Sequence, residues 1–244
     1  MILLSSYKGH TLFALILSLL FFQNPILIAL TIIGANLPDF DHKFKKEKVY
    51  QMIILGLIVF IGLYILNLPY YLGLIIIFLG VVFYFSEHRS FTHSIFGLLT
   101  LTASLSLVFI FAHDLISEFF ILSKINSYYV FTLIVILAGF LFLNKKVFLI
   151  FLPLLVIGVL FLPVGRFDYI QLTIAIFIGI FSHIILDSFT PAGIKPLAPL
   201  SLKKVHKMFG IICICLLIPL AIFYYFNFGN YLVKFLYNFT VTIV

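Results

Sequence analysis

TLFALILSLLFFQNPILIALTIIGAN, residues 11–36, decides how the rest of the chain is laid out. As one unbroken helix it is long enough to cross a membrane. Interrupted at Gln23, Asn24 and Pro25, it becomes two apolar pieces of about twelve residues, each rising roughly 18 Å against a hydrocarbon core of roughly 30 Å. Proline removes a backbone donor and disfavours a continuing helix, and a polar amide pair precedes it at the midpoint. The adopted reading is therefore a re-entrant pair of half-helices that returns the chain to the side it started from. No small-residue cleavage site follows the apolar run Leu12–Phe22, so the segment is read as retained and not as a signal peptide.

Beyond this hairpin, apolar runs at about 50–66, 70–86, 94–112, 128–143, 147–162, 169–187 and 209–226 are each bounded by charge, Asn, Pro or Gly. Each has roughly the length a membrane-crossing helix needs. The chain has 244 residues, of which 64% are hydrophobic and 9% charged, whereas a soluble domain carries about a quarter charged residues. Lipid is the solvent for such a chain. The expected fold is an all-α, polytopic membrane bundle forming one domain over residues 1–244, with about seven full spans besides the hairpin. Residues 9–200 carry the polar motifs, and 201–244 hold a last span and an apolar tail. The tail from Phe228 reads either as an interfacial helix or as a further short span.

The formal charge of +7 does not mark a nucleic-acid binder, because the basic residues stand singly or in short loop clusters beside apolar spans. With the hairpin and alternating crossings, one side receives Lys8, Lys43, Lys45, Lys46, Lys48, Arg89, Lys145, Lys146, Lys195, Lys203, Lys204 and Lys207. The other keeps Lys124, Arg166 and Lys234. The positive-inside rule assigns the richer side to the cytoplasm, giving a multi-pass protein of the cell membrane. Cys213 and Cys215 sit in an apolar run at a spacing that points them to different sides of a helix, which suits neither a disulfide nor a thiolate metal site.

The cytoplasmic side also collects six of the seven histidines, His10, His42, His88, His93, His183 and His206, with Asp39, Asp41, Glu47, Glu87 and Asp187. Charge played no part in placing those histidines together, and ionisable groups beside membrane spans default to functional sites. His183 and Asp187, four apart, share a helix face and can offer a nitrogen and a carboxylate to one ion. Alternatively they are a hydrogen-bonded pair that stitches the bundle. Asp39 and Asp41 flank Phe40 in a segment stiffened by Pro38 and can point the same way, either towards a cation or simply solvating a lysine-rich loop. Ser90 or Thr92 is expected to cap the helix that starts near His93. Arg89 supplies a planar fork for phosphate or carboxylate, or else snorkels to headgroups. His88 and His93, five apart, do not share a helical face, which suits one ligand and one second-layer or proton-transfer group. His10 joins these clusters only if the hairpin forms. His113 and His206 read as ordinary surface residues.

Gly9-His10, Leu37-Pro38-Asp39-Phe40-Asp41-His42, His88-Arg89-Ser90-Phe91-Thr92-His93-Ser94 and His183-x-x-x-Asp187-x-x-Thr190-x-x-Gly193, with Pro196 or Pro199 downstream, follow one another in the order of a known pattern. In these motifs, over about residues 9–200, the chain resembles the YdjM-type membrane-bound hydrolases, which are regarded as metal-dependent. One departure is Ser90, where that family usually has glycine, so the loop is constrained if the position needs a positive φ.

The resemblance reinforces a metal site, and the combined expectation is one or two divalent ions held by His10, Asp39, His93, His183 and Asp187, with Asp41, His88 and Arg89 as catalytic members. A nitrogen and oxygen set without thiolate suits Zn²⁺ first, with Mn²⁺ and Fe²⁺ as alternatives. Such an ion lowers the pKa of water towards about 7 for attack on a phosphoester or ester, with Arg89 stabilising developing anionic charge and Asp41 as base. A site at headgroup level points to a lipid or lipid-linked substrate in the bilayer. The rival expectations are a divalent metal-ion transporter and a non-catalytic scaffold with a structural metal.

Overall fold

The computed structural model describes residues 7–42, 46–119, 127–162 and 168–228. Lys43, Lys45, Lys124, Arg166, Lys234 and the tail beyond Phe228 lie outside the described residues.

The interruption at Gln23-Asn24-Pro25 does break the first apolar stretch. Helix α1 covers Tyr7–Phe21 and α2 covers Pro25–Asn36. Asn24 is the N-cap of α2, its side chain accepting the Ile26 amide at 2.9 Å, and Pro25 takes the first helical turn, where its missing N–H costs nothing. The two helices run back to back, and their far ends meet where the Asn36 side-chain amide donates to Thr11 Oγ1 at 3.2 Å. His10 is thereby returned to the level of the Leu37–His42 segment.

Seven further helices fall at the seven expected places: α3 Lys46–Ile65, α4 Tyr71–Phe85, α5 Ile95–Phe119, α6 Ser127–Phe142, α7 Lys145–Phe161, α8 Tyr169–Ser188 and α9 Lys207–Phe228. In α3, α5, α8 and α9 there are segments long and apolar enough to cross a membrane. The other three, α4, α6 and α7, have 15–17 residues, fewer than the roughly 20 of a full crossing. The fold is an all-helical polytopic bundle. Among the described residues, the strand-like pairing is limited to a single bridge, Ile194 with Val205. Cys213 is buried and Cys215 exposed, the different surroundings that their spacing predicts.

The centre of the bundle is the pair α2 and α8. Nearly every residue of α2 is buried, and the inner half of α8, from Ile178 to Ser188, is buried almost throughout. Association of helices in lipid relies on close packing, which small residues permit. A Cβ on Gly179 would stand 2.2 Å from the Thr31 carbonyl oxygen and 3.0 Å from the Ala35 nitrogen, and one on Gly34 would stand 2.8 Å from the Ile176 oxygen. The two backbones therefore touch directly, and this contact sets the depth at which His183 meets the end of α2.

Candidate metal centre

Four segments bring the site together. They are the first turn of α1, the turn Pro38–Asp41 after α2, the turn Phe91–His93 before α5, and the last turns of α8. His10, His93, His183 and Asp187 are all 3% exposed or less.

The hydrogen-bond network assigns the histidine tautomers. The Thr92 hydroxyl donates to Asp41 Oδ2. That single proton being used, the 3.0 Å contact between Thr92 Oγ1 and His93 Nδ1 has the imidazole as donor. At His183, Nδ1 donates to the Ala35 carbonyl at 2.7 Å, a bond that depends on the Gly34 and Gly179 contact. In the neutral form of each ring, Nε2 then carries a lone pair, and these two nitrogens face each other at 3.1 Å. Only a proton or a cation makes that approach favourable.

Carboxylate oxygens lie around this pair. Asp187 Oδ2 lies 3.2 Å from His93 Nε2 and 3.7 Å from His183 Nε2, and Asp39 Oδ1 lies 3.5 Å from His183 Nε2. A tetrahedron with the bond lengths zinc prefers, 2.0–2.1 Å, has edges of about 3.3–3.4 Å. His10 Nε2 stands 3.4 Å from Asp187 Oδ1, and its ring stacks on His183 at 3.9 Å. Its Nδ1 is buried with no hydrogen-bond partner among the described atoms, a state that costs about 1–3 kcal/mol for an ordinary polar group. Two groups, His10–His183–Asp187 and Asp39–His93–His183, have the proximity a metal ion requires. They share the one free nitrogen of His183, so both groups surround the same point. A third group, Asp41–His88–His93, lies on the outer side.

Asp39 and Asp41 do not point the same way. In the tight helical turn Pro38–Asp41, residues two apart project in divergent directions. Asp39 turns to His183. Asp41 turns behind His93, where both its oxygens are engaged, Oδ2 by Thr92 and Oδ1 by His88 Nδ1 at 2.8 Å. Burial works to raise the Asp41 pKa, but the hydrogen bonds from His88 and His93 outweigh it and hold this carboxyl well below the usual carboxylate range. For His93, burial lowers and the Asp187 and Asp41 carboxylates raise, and the carboxylates win, moving the imidazolium up to about 10. A carboxylate that fixes the ring of a ligating histidine is the usual supporting layer of a metal site.

The 88–94 segment differs from expectation in two ways. Ser94, not Ser90 or Thr92, caps α5 by accepting the Gly97 amide at 3.0 Å, which leaves Thr92 free for Asp41. Ser90 has φ −109, so no glycine is needed there, while Arg89 takes the left-handed φ of 61. Holding a non-glycine residue there costs on the order of 1 kcal/mol. The turn aims the guanidinium at α8, where Nη1 donates to Thr190 Oγ1 at 2.7 Å and Nε lies 3.6 Å from Asp187 Oδ2. Thr190 in turn donates to the Asp187 carbonyl. Gly193, with φ 64, closes this loop against the Val205 carbonyl.

The centre is not closed on all sides. Side chains of Asp39 and Arg89 retain 22% and 21% exposure, against 0–3% for the inner histidines and Asp187. On the outer side His88 is 33% exposed, and a cavity of about 400 Å³ lined by Asp41, Lys46, Glu87 and His88 adjoins it.

All eight residues expected at the site are thus gathered in one place. Thr92 as a bridge, the Ala35 carbonyl and the Gly34–Gly179 contact were not anticipated. A small-residue pair on two apolar helices was the available signal for the contact, but a backbone carbonyl leaves none. His206 is exposed, as expected. His113 is not a surface residue. It is buried, stacks on Phe131 at 4.1 Å and pairs with Asp114 at 3.0 Å, because the last turns of α5 are covered by α6 and Tyr169 of α8.

Neither a curated protein nor a solved structure matches the chain significantly. The YdjM inner membrane protein family matches it over residues 6–144 and 147–243. With nearly the whole length covered and the four motifs converging on one centre, the chain belongs to the YdjM inner membrane protein family.

Proposed function

We propose that this protein is a metal-dependent hydrolase whose site, at the cytoplasmic face of the membrane, cleaves a phosphoester or ester of a lipid or lipid-linked substrate. The observation that carries the reading is the 3.1 Å approach of the Nε2 atoms of His93 and His183 beside the Asp187 and Asp39 carboxylates, in a cluster that stays open on the Asp39 and Arg89 edge. A purely structural site is usually closed, whereas a catalytic one keeps an open position.

In this reading His93, His183, Asp187 and Asp39 hold one divalent ion with His10 beside them, and Zn²⁺ is the first candidate for that donor set. When bound, the ion supplies a Lewis acid that acidifies water towards about neutral pH. The chain's own groups do the rest. Hydrolysis joins the water oxygen to phosphorus or carbonyl carbon, breaks the ester bond and moves one water proton to the leaving oxygen. Arg89, fixed by Thr190 and Asp187, faces the open edge with a permanent positive charge suited to the anionic substrate. Asp41 is assigned to orienting His93, partly through Thr92, in place of acting as the direct base. His88 connects it to the surface.

A transporter would place such a cluster near the bilayer midplane. Here the ligands occupy the first turn of α1, the last turns of α8 and two interhelical turns, which supports an interfacial site. The lysine-rich ends that accompany these turns support its cytoplasmic orientation.

The test loads purified protein with Zn²⁺, Mn²⁺ or Fe²⁺ in vesicles of mixed bacterial phospholipids and follows release of water-soluble headgroup. Metal-dependent release that is lost in Asp39→Ala is expected. Metal bound one to one without release for any of the three ions would overturn the hydrolase reading. Zn²⁺ flux into sealed vesicles that disappears in His183→Ala would assign transport instead.

A further inference from the structure

A large apolar groove lies on the other side of α1 from the metal centre. His10, Ala14, Leu17 and Phe21 form the inward face of α1. Lys8, Leu12, Leu15 and Leu19 form the opposite face and make one wall of a lateral groove of about 680 Å³. Ile150 and Leu154 of α7 form the facing wall, and both are more than half exposed. The groove ends at the tip of the hairpin, where Gly158 lets α7 close on Pro25. A Cβ at Gly158 would come within 2.8 Å of the proline ring.

Charge within the groove is confined to one end. Lys8 and Lys146 stand at its mouth, both exposed, and none of its lining residues is acidic. Tyr7 fixes this end by donating to the Phe142 carbonyl at 2.7 Å, tying the start of α1 to the α6–α7 junction and so holding the two lysines at one level. From Lys8 to Leu19 the wall rises about 16 Å, close to the roughly 15 Å depth of one leaflet's hydrocarbon. Cationic groups at one end and an apolar trough one leaflet deep complement a single type of occupant, a membrane lipid with an anionic headgroup.

We infer that the groove between α1 and α7 binds one acyl chain of a phosphate-bearing lipid, with its headgroup held by Lys8 and Lys146. This mouth lies at the same end of α1 as the open edge of the metal centre, since Lys8 and His10 share the first turn of α1 and the His10 ring stacks on His183, which Asp39 approaches at 3.5 Å. One helix width, on the order of 10 Å, separates the two sides. The inference rests on the hydrolase reading only for the idea that the bound lipid is substrate; the binding site stands without it.

Binding is measured on the full-length, metal-loaded protein in detergent with fluorescent pyrene-labelled phosphatidic acid and pyrene-labelled phosphatidylcholine. The wild type is expected to prefer phosphatidic acid at least fivefold. Leu154→Trp, a change at a lipid-exposed position, should weaken both probes tenfold or more with metal content unchanged. Lys8→Gln with Lys146→Gln should remove the preference and leave phosphatidylcholine binding as it was. Unchanged binding in Leu154→Trp, or retained preference in the double variant, would overturn the inference. Headgroup release measured on the same samples keeps the two claims apart. Binding without release in the wild type defeats the hydrolase alone, and release that survives a Leu154→Trp change that has abolished binding defeats the groove's role alone.

Discussion

Replacing Gly179 with alanine should weaken metal binding although Gly179 touches no ligand. The added Cβ would stand 2.2 Å from the Thr31 carbonyl oxygen, and ordinary contact begins near 3.4 Å, so α2 and α8 must part by roughly 1.2 Å. The same movement carries the 2.7 Å bond from His183 Nδ1 to the Ala35 carbonyl to about 3.9 Å, outside hydrogen-bond range. His183 then loses both its tautomer lock and its orientation. Loss of such a supporting contact weakens metal affinity by about 10–100-fold. Competition against a fluorescent zinc chelator in detergent measures the change, with circular dichroism reporting that the helices persist. Gly62→Ala, where an added Cβ meets nothing within 4 Å, is the control and should bind metal like the wild type. Wild-type affinity in a helical Gly179→Ala protein would refute the reasoning that helix packing positions His183.

Three further outcomes follow from the same geometry. Asp41→Asn should reduce zinc affinity about 10–100-fold through misorientation of His93, while His183→Ala and Asp187→Ala should abolish stoichiometric binding; equilibrium dialysis distinguishes the two classes. Because His93 is raised to about 10, the metal-free protein carries its proton at neutral pH, and ion binding must expel it. Zinc affinity should therefore rise about tenfold per pH unit between pH 6 and 8 for one released proton, and calorimetry in buffers of different ionisation enthalpy should show the release. A pH-independent affinity contradicts this. Arg89→Gln should leave metal content unchanged and lower turnover of an anionic ester by about 10²–10³-fold, which headgroup release from vesicles reports; equal turnover would remove Arg89 from the chemistry.

Much of the architecture was legible because lipid imposes simple rules on a chain. Apolar runs had to become helices, since a backbone in hydrocarbon must satisfy its own hydrogen bonds. All seven runs did so, six of them within four residues of the expected bounds, while α5 runs on to Phe119. Gln23, Asn24 and Pro25 marked a true break because a cap and a first-turn proline are local devices, decided by neighbouring residues alone. The polar motifs could be gathered on one side for a related reason, as groups costly to bury in lipid sort to the ends of the spans.

What the sequence by itself determined was therefore the solvent, the helices, the hairpin and the residue types available for chemistry. Tertiary structure alone decided the direction of each polar group: Asp39 towards His183 and Asp41 behind His93, the left-handed turn at Arg89, and His113 under α6 instead of at the surface. Helices in lipid are apolar on every face, so no polar stripe in the sequence tells which side of α1 or α8 turns inward. Those choices come from backbone contacts such as Gly179 on Thr31 and from carbonyls such as that of Ala35, which every residue possesses and no residue type announces.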